Sequence, residues 1–219
     1  MKSIIITLLV AAVTLCANAQ KDVTKFLGIP VDGSKTEMIR KLKAKGFKSS
    51  SQDKNILEGI FNGRKVNVFI NTNGNKVCRL MVCDADLMDE RSIQIRFNTL
   101  CSQFSNNPKY VSLLDNELIP EDEDIAREII IKNKRYDAIF FQKPEQMLDT
   151  AVFEEYIKTV CGENDLANLS PEKKDELTKQ LMDISLKKPV WFMISNAFGK
   201  YYISMFYDNE YNRANGEDL

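Results

Sequence analysis

Between Ile60 and Asp84 the chain reads IFNGRKVNVFINTNGNKVCRLMVCD, with two Asn-Gly pairs set among β-forming residues. Asn and Gly tolerate positive φ at both positions of a type I′ turn, so each pair can reverse a strand tightly. Asn62-Gly63 predicts a two-residue hairpin. At the second turn the register decides. A two-residue Asn73-Gly74 loop sets Val68 against Arg79 and Ile70 against Val77. A three-residue loop, Thr72-Asn73-Gly74, sets Val68 against Cys78 and Val66 against Leu80, and leaves one sheet face almost wholly apolar. That register is preferred. It predicts a three-stranded antiparallel meander over about 56–83, and strands joined by hairpins need no crossover helices.

Helices flank the meander. In SKTEMIRKLKAKGF, Ser34 and Glu37 make a capping box, Met38, Ile39 and Leu42 share a face, and Gly46 supplies a left-handed stop before Phe47. The basic face of this helix reads as solvated surface. From Glu90 to Phe104, residues Ile93, Phe97, Leu100, Cys101 and Phe104 keep helical spacing and would cover Val66, Val68, Cys78 and Leu80. Residues 106–125 then read as a long connection ending in the acidic run PEDED. That run lacks the alternating oxygen ligands and glycine-assisted turn of a calcium loop, so no metal is assigned.

REIIIKNKRYDAIFFQ predicts a second hairpin turning near Asn133-Lys134, and Pro144 opens a helical stretch to about Val160. Ser170-Pro171 caps a helix with Leu177, Leu181 and Ile184 inward. PVWFMISNAFGKYYISMFYD predicts a third hairpin with a longer loop, followed by a polar tail. Set without a gap beside Val66–Asp84, the stretch Val190–Asp208 repeats Val, Ile, Lys, Met and Asp at Val66/Val190, Ile70/Ile194, Lys76/Lys200, Met81/Met205 and Asp84/Asp208. Arg79 against Ile203 and Leu80 against Ser204 break the match. The expected fold is therefore α+β: an antiparallel sheet of hairpins and meander, helices mainly on one face, and a possible two-fold repeat with halves 20–110 and 120–208.

The N-terminus has the form of an export signal. Met1-Lys2 is followed by an apolar run from Ser3 to Leu15, too short to span a bilayer, and then by Ala17-Asn18-Ala19. Cleavage after Ala19 leaves residues 20–219 as one expected domain, with no stable membrane insertion afterwards. Leu15 before Cys16 does not suit a lipobox. The formal charge is −1 for the whole chain and −2 once Lys2 leaves. Such balance argues against nucleic acid, which needs a basic face. Cys78, Cys83, Cys101 and Cys161 allow up to two disulfides, and Cys78–Cys101 is the pair to test first.

The segment FLGIPVDGSKTEMIRKLKAKGF, after a signal ending Ala-Gln, resembles the start of secreted proteins of unknown function from Bacteroidales. The order of helix, meander and helix is similar to the small α+β modules of β-lactamase-inhibitor-like and outer-membrane-assembly lipoproteins. Neither resemblance carries a motif with assigned catalytic residues.

The chain contains no histidine, which removes Ser-His-Asp and Cys-His catalysis and imidazole-bound zinc. No GxSxG, GxGxxG or P-loop pattern is present. A pair of carboxylates could still hydrolyse a glycoside. No catalytic residue and no cofactor is assigned, and an enzyme is disfavoured. The aromatics of the last hairpin are the binding candidates, above all Trp191, Tyr201 and Tyr207, because Trp and Tyr dominate hot spots and stack on sugars. Strand alternation groups Tyr201, Ile203, Met205 and Tyr207 on one side, with Tyr202 and Phe206 on the other. The expected function is a non-enzymatic exported module that binds a protein or envelope component. The alternative is a secreted hydrolase or carbohydrate-binding accessory using carboxylates and aromatics. A carrier of a small lipophile would require a cavity.

Overall fold

A computed structural model describes residues 22–112, 118–149 and 169–210, with 151, 154, 155 and 158 between them. The signal segment, Cys161, most of the stretch after Asp149 and the tail from Tyr211 lie outside the described residues. Chain order is β1 (Lys25–Phe26), β2 (Ile29–Pro30), α1 (Lys35–Ala44), β3 (Lys48–Ser49), β4 (Leu57–Phe61), β5 (Arg64–Asn73) and β6 (Lys76–Asp84). It continues through α2 (Glu90–Ser105), β7 (Tyr110–Val111), α3 (Ile125–Lys132), β8 (Asp137–Gln142), α4 (Pro171–Leu186), β9 (Pro189–Ala197) and β10 (Lys200–Asp208).

Local chemistry sets the helix ends. Ser34 Oγ accepts from the Glu37 amide at 3.2 Å, and the Glu37 carboxylate pairs with Lys41 one turn on. Gly46, at φ 97°, lets the chain leave α1, and the Phe47 amide donates back to the Leu42 carbonyl. Asp89 caps α2 by accepting from the Ser92 amide at 2.7 Å, and Ser170 caps α4 with Pro171 behind it.

β1 and β2 form a small hairpin. The other strands form one antiparallel sheet of eight, ordered β3-β4-β5-β6-β10-β9-β8-β7. The order is symmetric about its centre. Each half contributes a two-residue strand at its edge and three longer strands, and the halves join where β6 pairs with β10. The predicted α+β class is what the structure shows, with the meander β4-β5-β6 in place.

The register of that meander differs from the expectation. Val68 lies opposite Val82 and Val66 opposite Asp84, four residues beyond the anticipated partners. The turn is Gly74-Asn75, both at positive φ (54° and 64°), and a bulge between Asn71 and Thr72 absorbs the extra residue. The apolar face survives because a shift of four keeps strand parity. Strand pairing does not follow the gapless alignment of the two stretches. Ile70 pairs with Leu80 and Ile194 with Ile203, so Leu80 occupies the place of Ile203, not of Ser204. Likewise Val66 pairs with Asp84 but Val190 with Tyr207, so the aligned pairs Met81/Met205 and Asp84/Asp208 fall one residue out of step in the sheet.

Two more segments depart from expectation. Ile125–Lys132 is a helix, not the first strand of a hairpin. Asp124 caps it by accepting from the Arg127 amide at 2.8 Å, Glu128 pairs with Lys132, and Asn133 ends it at φ 53°. Its β-branched run suggested a strand, but only Ile125 and Ile129 reach the core, while Ile130 and Ile131 stay 70% exposed. The β9–β10 connection is not a longer loop. It is the two-residue turn Phe198-Gly199, at φ 52° and 71°.

Inside, α1 covers β5 and β6, while α2 lies across β10, β9 and β7. The apolar residues of α2 are buried as expected, but they cover the second half of the sheet: Phe97 and Phe104 stand 5.3 and 5.6 Å from Phe192. It is α1, through Met38 and Leu42, that closes the face over Val66, Val68 and Leu80. Pairing of β6 with β10 moves the sheet centre, and α2 follows it. Leu177 and Leu181 of α4 are buried yet stand apart from this core, although α4 packs on β8.

Candidate functional site

Strand alternation gives the sheet two unlike faces. One carries Val66, Val68, Ile70, Leu80, Val82, Val190, Phe192, Ile194, Ile203 and Met205, all buried beneath α1 and α2. Along β9 the intervening residues Trp191, Met193 and Ser195 point to the second face, as do Asn67 and Phe69 on β5, Arg79 and Met81 on β6, and Tyr202 on β10. These residues are only part-buried.

The second face has a cluster at its middle. Trp191 lies flat on Phe206, with ring centres 3.9 Å apart and planes 16° apart, and the two are directly cross-strand. Arg79 sits against both rings, 5.5 and 5.0 Å from their centres, and Arg135 approaches Trp191 at 5.2 Å. Asp208, at the end of β10, accepts Arg79 through both oxygens at 2.5 and 2.8 Å, and accepts the Trp191 indole N–H at 2.9 Å. The carboxylate raises the Arg79 guanidinium above its ordinary pKa, chiefly through these hydrogen bonds. The result is a stacked aromatic pair, Phe206 buried and Trp191 part-exposed, with Arg79 held against it by Asp208 and a second cation, Arg135, beside Trp191. The Arg135 side chain is about half exposed and pairs with Asp137 at 3.4 Å.

Of the residues anticipated from sequence, Trp191 belongs to this cluster. Tyr201 and Tyr207 do not. Both are buried on the helix-covered face, as the alternation of β10 requires, and Tyr207 packs on Phe26 with its hydroxyl bonded to that of Tyr110. Burial raises the pKa of Tyr207 well above its ordinary value. Phe206 is one of the hairpin aromatics considered but not among the three put first, and Arg79, Arg135 and Asp208 were not anticipated. The signal for Phe206 was its parity with Tyr202; the arginines join through pairing of β6 with β10 and through the approach to β8, which sequence does not reveal.

The cysteines Cys78, Cys83 and Cys101 are buried free thiols here, each raised in pKa by burial, Cys101 to about 12. Cys78 lies by the Asn71 carbonyl on β5, and Cys101 is on α2. Among the described residues no group of three or more His, Cys, Asp or Glu side chains is placed to hold a metal ion. Three of the four acids of the PEDED run are engaged instead: Glu121 with Arg91, Glu123 with Lys134 and Tyr136, and Asp124 as a helix cap. Asp208 and Asp137, the carboxylates that meet the arginines around Trp191, are held by those arginines. The carboxylates moved from their ordinary values, Glu37, Asp89, Glu123 and Glu172, all move down, the opposite of what a general acid requires.

No family model matches the chain, and no curated protein or solved structure matches it either. Among the described residues no helix is long and apolar enough to cross a membrane.

Proposed function

We propose that this chain is an exported, non-enzymatic binding module, and that the second face of its sheet is where a protein or envelope component docks. The observation that carries the reading is the Trp191–Phe206 stack with Arg79 fixed upon it and Arg135 beside it. Trp191 and the two arginines are open to solvent in part, while Phe206 beneath them is buried. Aromatic and arginine side chains held in place by hydrogen bonds and stacking are the usual centre of a binding hot spot, because little conformational entropy remains to be lost. The tip of the β9–β10 hairpin supports it. Phe198 is 97% exposed and sits at φ 52°, where a bulky residue is disfavoured and Asn or Gly would be at ease. Cost without benefit to the fold points to a benefit elsewhere.

The alternative of a hydrolase has less support. Its general acid would be a carboxylate of raised pKa in a cleft, and the acids around Trp191 serve as arginine partners. Carbohydrate binding through Trp191 survives as an outcome of the test. The full chain carrying a C-terminal tag would be cross-linked in the producing cells and captured, with Arg135→Glu as the comparison. Arg135 is surface-exposed, so the variant should fold. The expected result is one or two envelope proteins enriched with the native chain and depleted at least fivefold with the variant. Equal enrichment with both would remove the second face from the reading. No enrichment in captures that recover the bait would end its protein-binding form, and glycan arrays would take its place. N-terminal sequencing of the exported protein should begin at Gln20.

A further inference from the structure

Away from the second face, a cleft of about 690 Å³ opens where the β1–β2 turn, the β4–β5 turn, the end of α2 and the β7–β8 edge converge. That size falls within the range of small-molecule sites. Its floor is aromatic: Phe61, Phe104, Tyr110 and Tyr207 line it, with Phe104 and Tyr110 edge to face at 4.7 Å. Its rim is unexpectedly apolar. Leu27, Ile60 and Leu148, exposed by 40%, 64% and 46%, all line this one cleft from three separate segments.

The charges around it are not balanced. Lys25 pairs with Glu145, and the buried Lys188 ammonium donates to Asp22 at 2.7 Å and to the Lys143 carbonyl at 3.0 Å. Lys109 and Lys143 also line the cleft and are neighbours, since the Lys143 amide donates to the Lys109 carbonyl at 2.9 Å. Among the described residues no carboxylate stands within ion-pair distance of either. The wall between is firm: Gln142 bonds the Lys25 backbone through both ends of its amide and also donates to the Tyr110 hydroxyl at 3.2 Å.

We propose that this cleft binds a single-chain anionic amphiphile, its alkyl part among Leu27, Ile60, Leu148 and the aromatic floor, its carboxylate or phosphate head at Lys109 and Lys143. Apolar lining alone would suit any oily ligand, and two lysines alone would suit any anion. Their convergence in one cleft selects a molecule with both parts. This inference is independent of the docking face, because Arg135→Glu leaves the cleft untouched.

The test is isothermal titration of purified residues 20–219 with hexanoate, octanoate and decanoate, then with decyl phosphate and decylammonium, all below their aggregation concentrations. Affinity should rise by about fourfold per added CH₂, as burial of a methylene predicts. Decylammonium should bind at least tenfold more weakly than decanoate, and the double variant Lys109→Gln/Lys143→Gln should lose about tenfold for decanoate. Decanoate against decyl phosphate tells which head is preferred. Absence of binding by any of the anionic probes overturns the proposal. So does affinity that ignores chain length, or equal affinity for decanoate and decylammonium. The last comparison uses the native chain, so it decides the matter even if the double variant misfolds.

Discussion

Neighbouring residues on β9 live in different worlds. Phe192 is fully buried, packed by Phe97, Phe104 and Phe140, whereas Trp191 and Met193, one residue to either side, are part-exposed on the opposite face. The same contrast separates the two buried carboxylates at the ends of the central strands. Asp84, on β6, is pinned to Arg96 of α2 at 3.3 Å, with Arg64 at 3.8 Å, and so ties helix to sheet. Asp208, on β10, holds Arg79 of β6 and Trp191 of β9, and so ties three strands together on the second face. One face of the sheet spends its side chains on the fold. The other keeps Trp191, Met193 and Arg79 part-exposed above buried Phe206, Cys83 and Ser204.

The contrast can be broken by substitution. The largest difference should come from Phe192→Ala against Met193→Ala. Emptying the Phe192 site costs about 3–5 kcal/mol, whereas shortening the part-exposed Met193 costs about 1 kcal/mol, both read by urea unfolding. Equal losses would mean that the second face is a core as well. Next come the carboxylates. Asp84→Ala strands the buried Arg96 and should cost about 3–5 kcal/mol. Asp208→Ala should cost about 2 kcal/mol, because Arg79 keeps enough exposure to recover water.

The cysteines sharpen the same comparison kinetically. Cys83 faces the second face beside Ser204, and Cys101 lies under α2. Both thiols are raised by burial, so maleimide at pH 8 should modify each slowly, Cys83 before Cys101 in peptide mass spectra. Labelling in urea without reductant should reach both Cys78 and Cys101. Protection of that pair would establish the disulfide that the sequence suggested. The smallest effect is a gain: Phe198→Asn should stabilise the chain by about 1 kcal/mol by relieving the positive φ, while weakening partner capture.

How much of this was legible in the sequence depends on range. Capping of α1 and α4, the face of α2 and the meander are written in residues a few positions apart, and the structure reproduces them. The register of β5 on β6 was not, because a bulge at Asn71/Thr72 and a turn at Gly74-Asn75 give the same alternation as the register expected. Ile125–Lys132 misled because β-branched residues suggest a strand, while a cap and one ion pair at helical spacing hold them in a helix. Trp191 could be singled out by type alone, and Tyr201 and Tyr207 by the same rule, but only the order of strands decides which face has helices on it. The partners Arg79 and Asp208 are far apart in the chain, and pairing of β6 with β10 is what brings them together.

The most direct test of the binding face is a photo-cross-linking residue placed at Met193 on the second face or at Ser102 on the exposed side of α2, each in the native producing cells. Adducts of defined mass from position 193 and none from position 102 are the predicted result. Adducts from position 102 alone, or none from 193 when capture still enriches a partner, would contradict it.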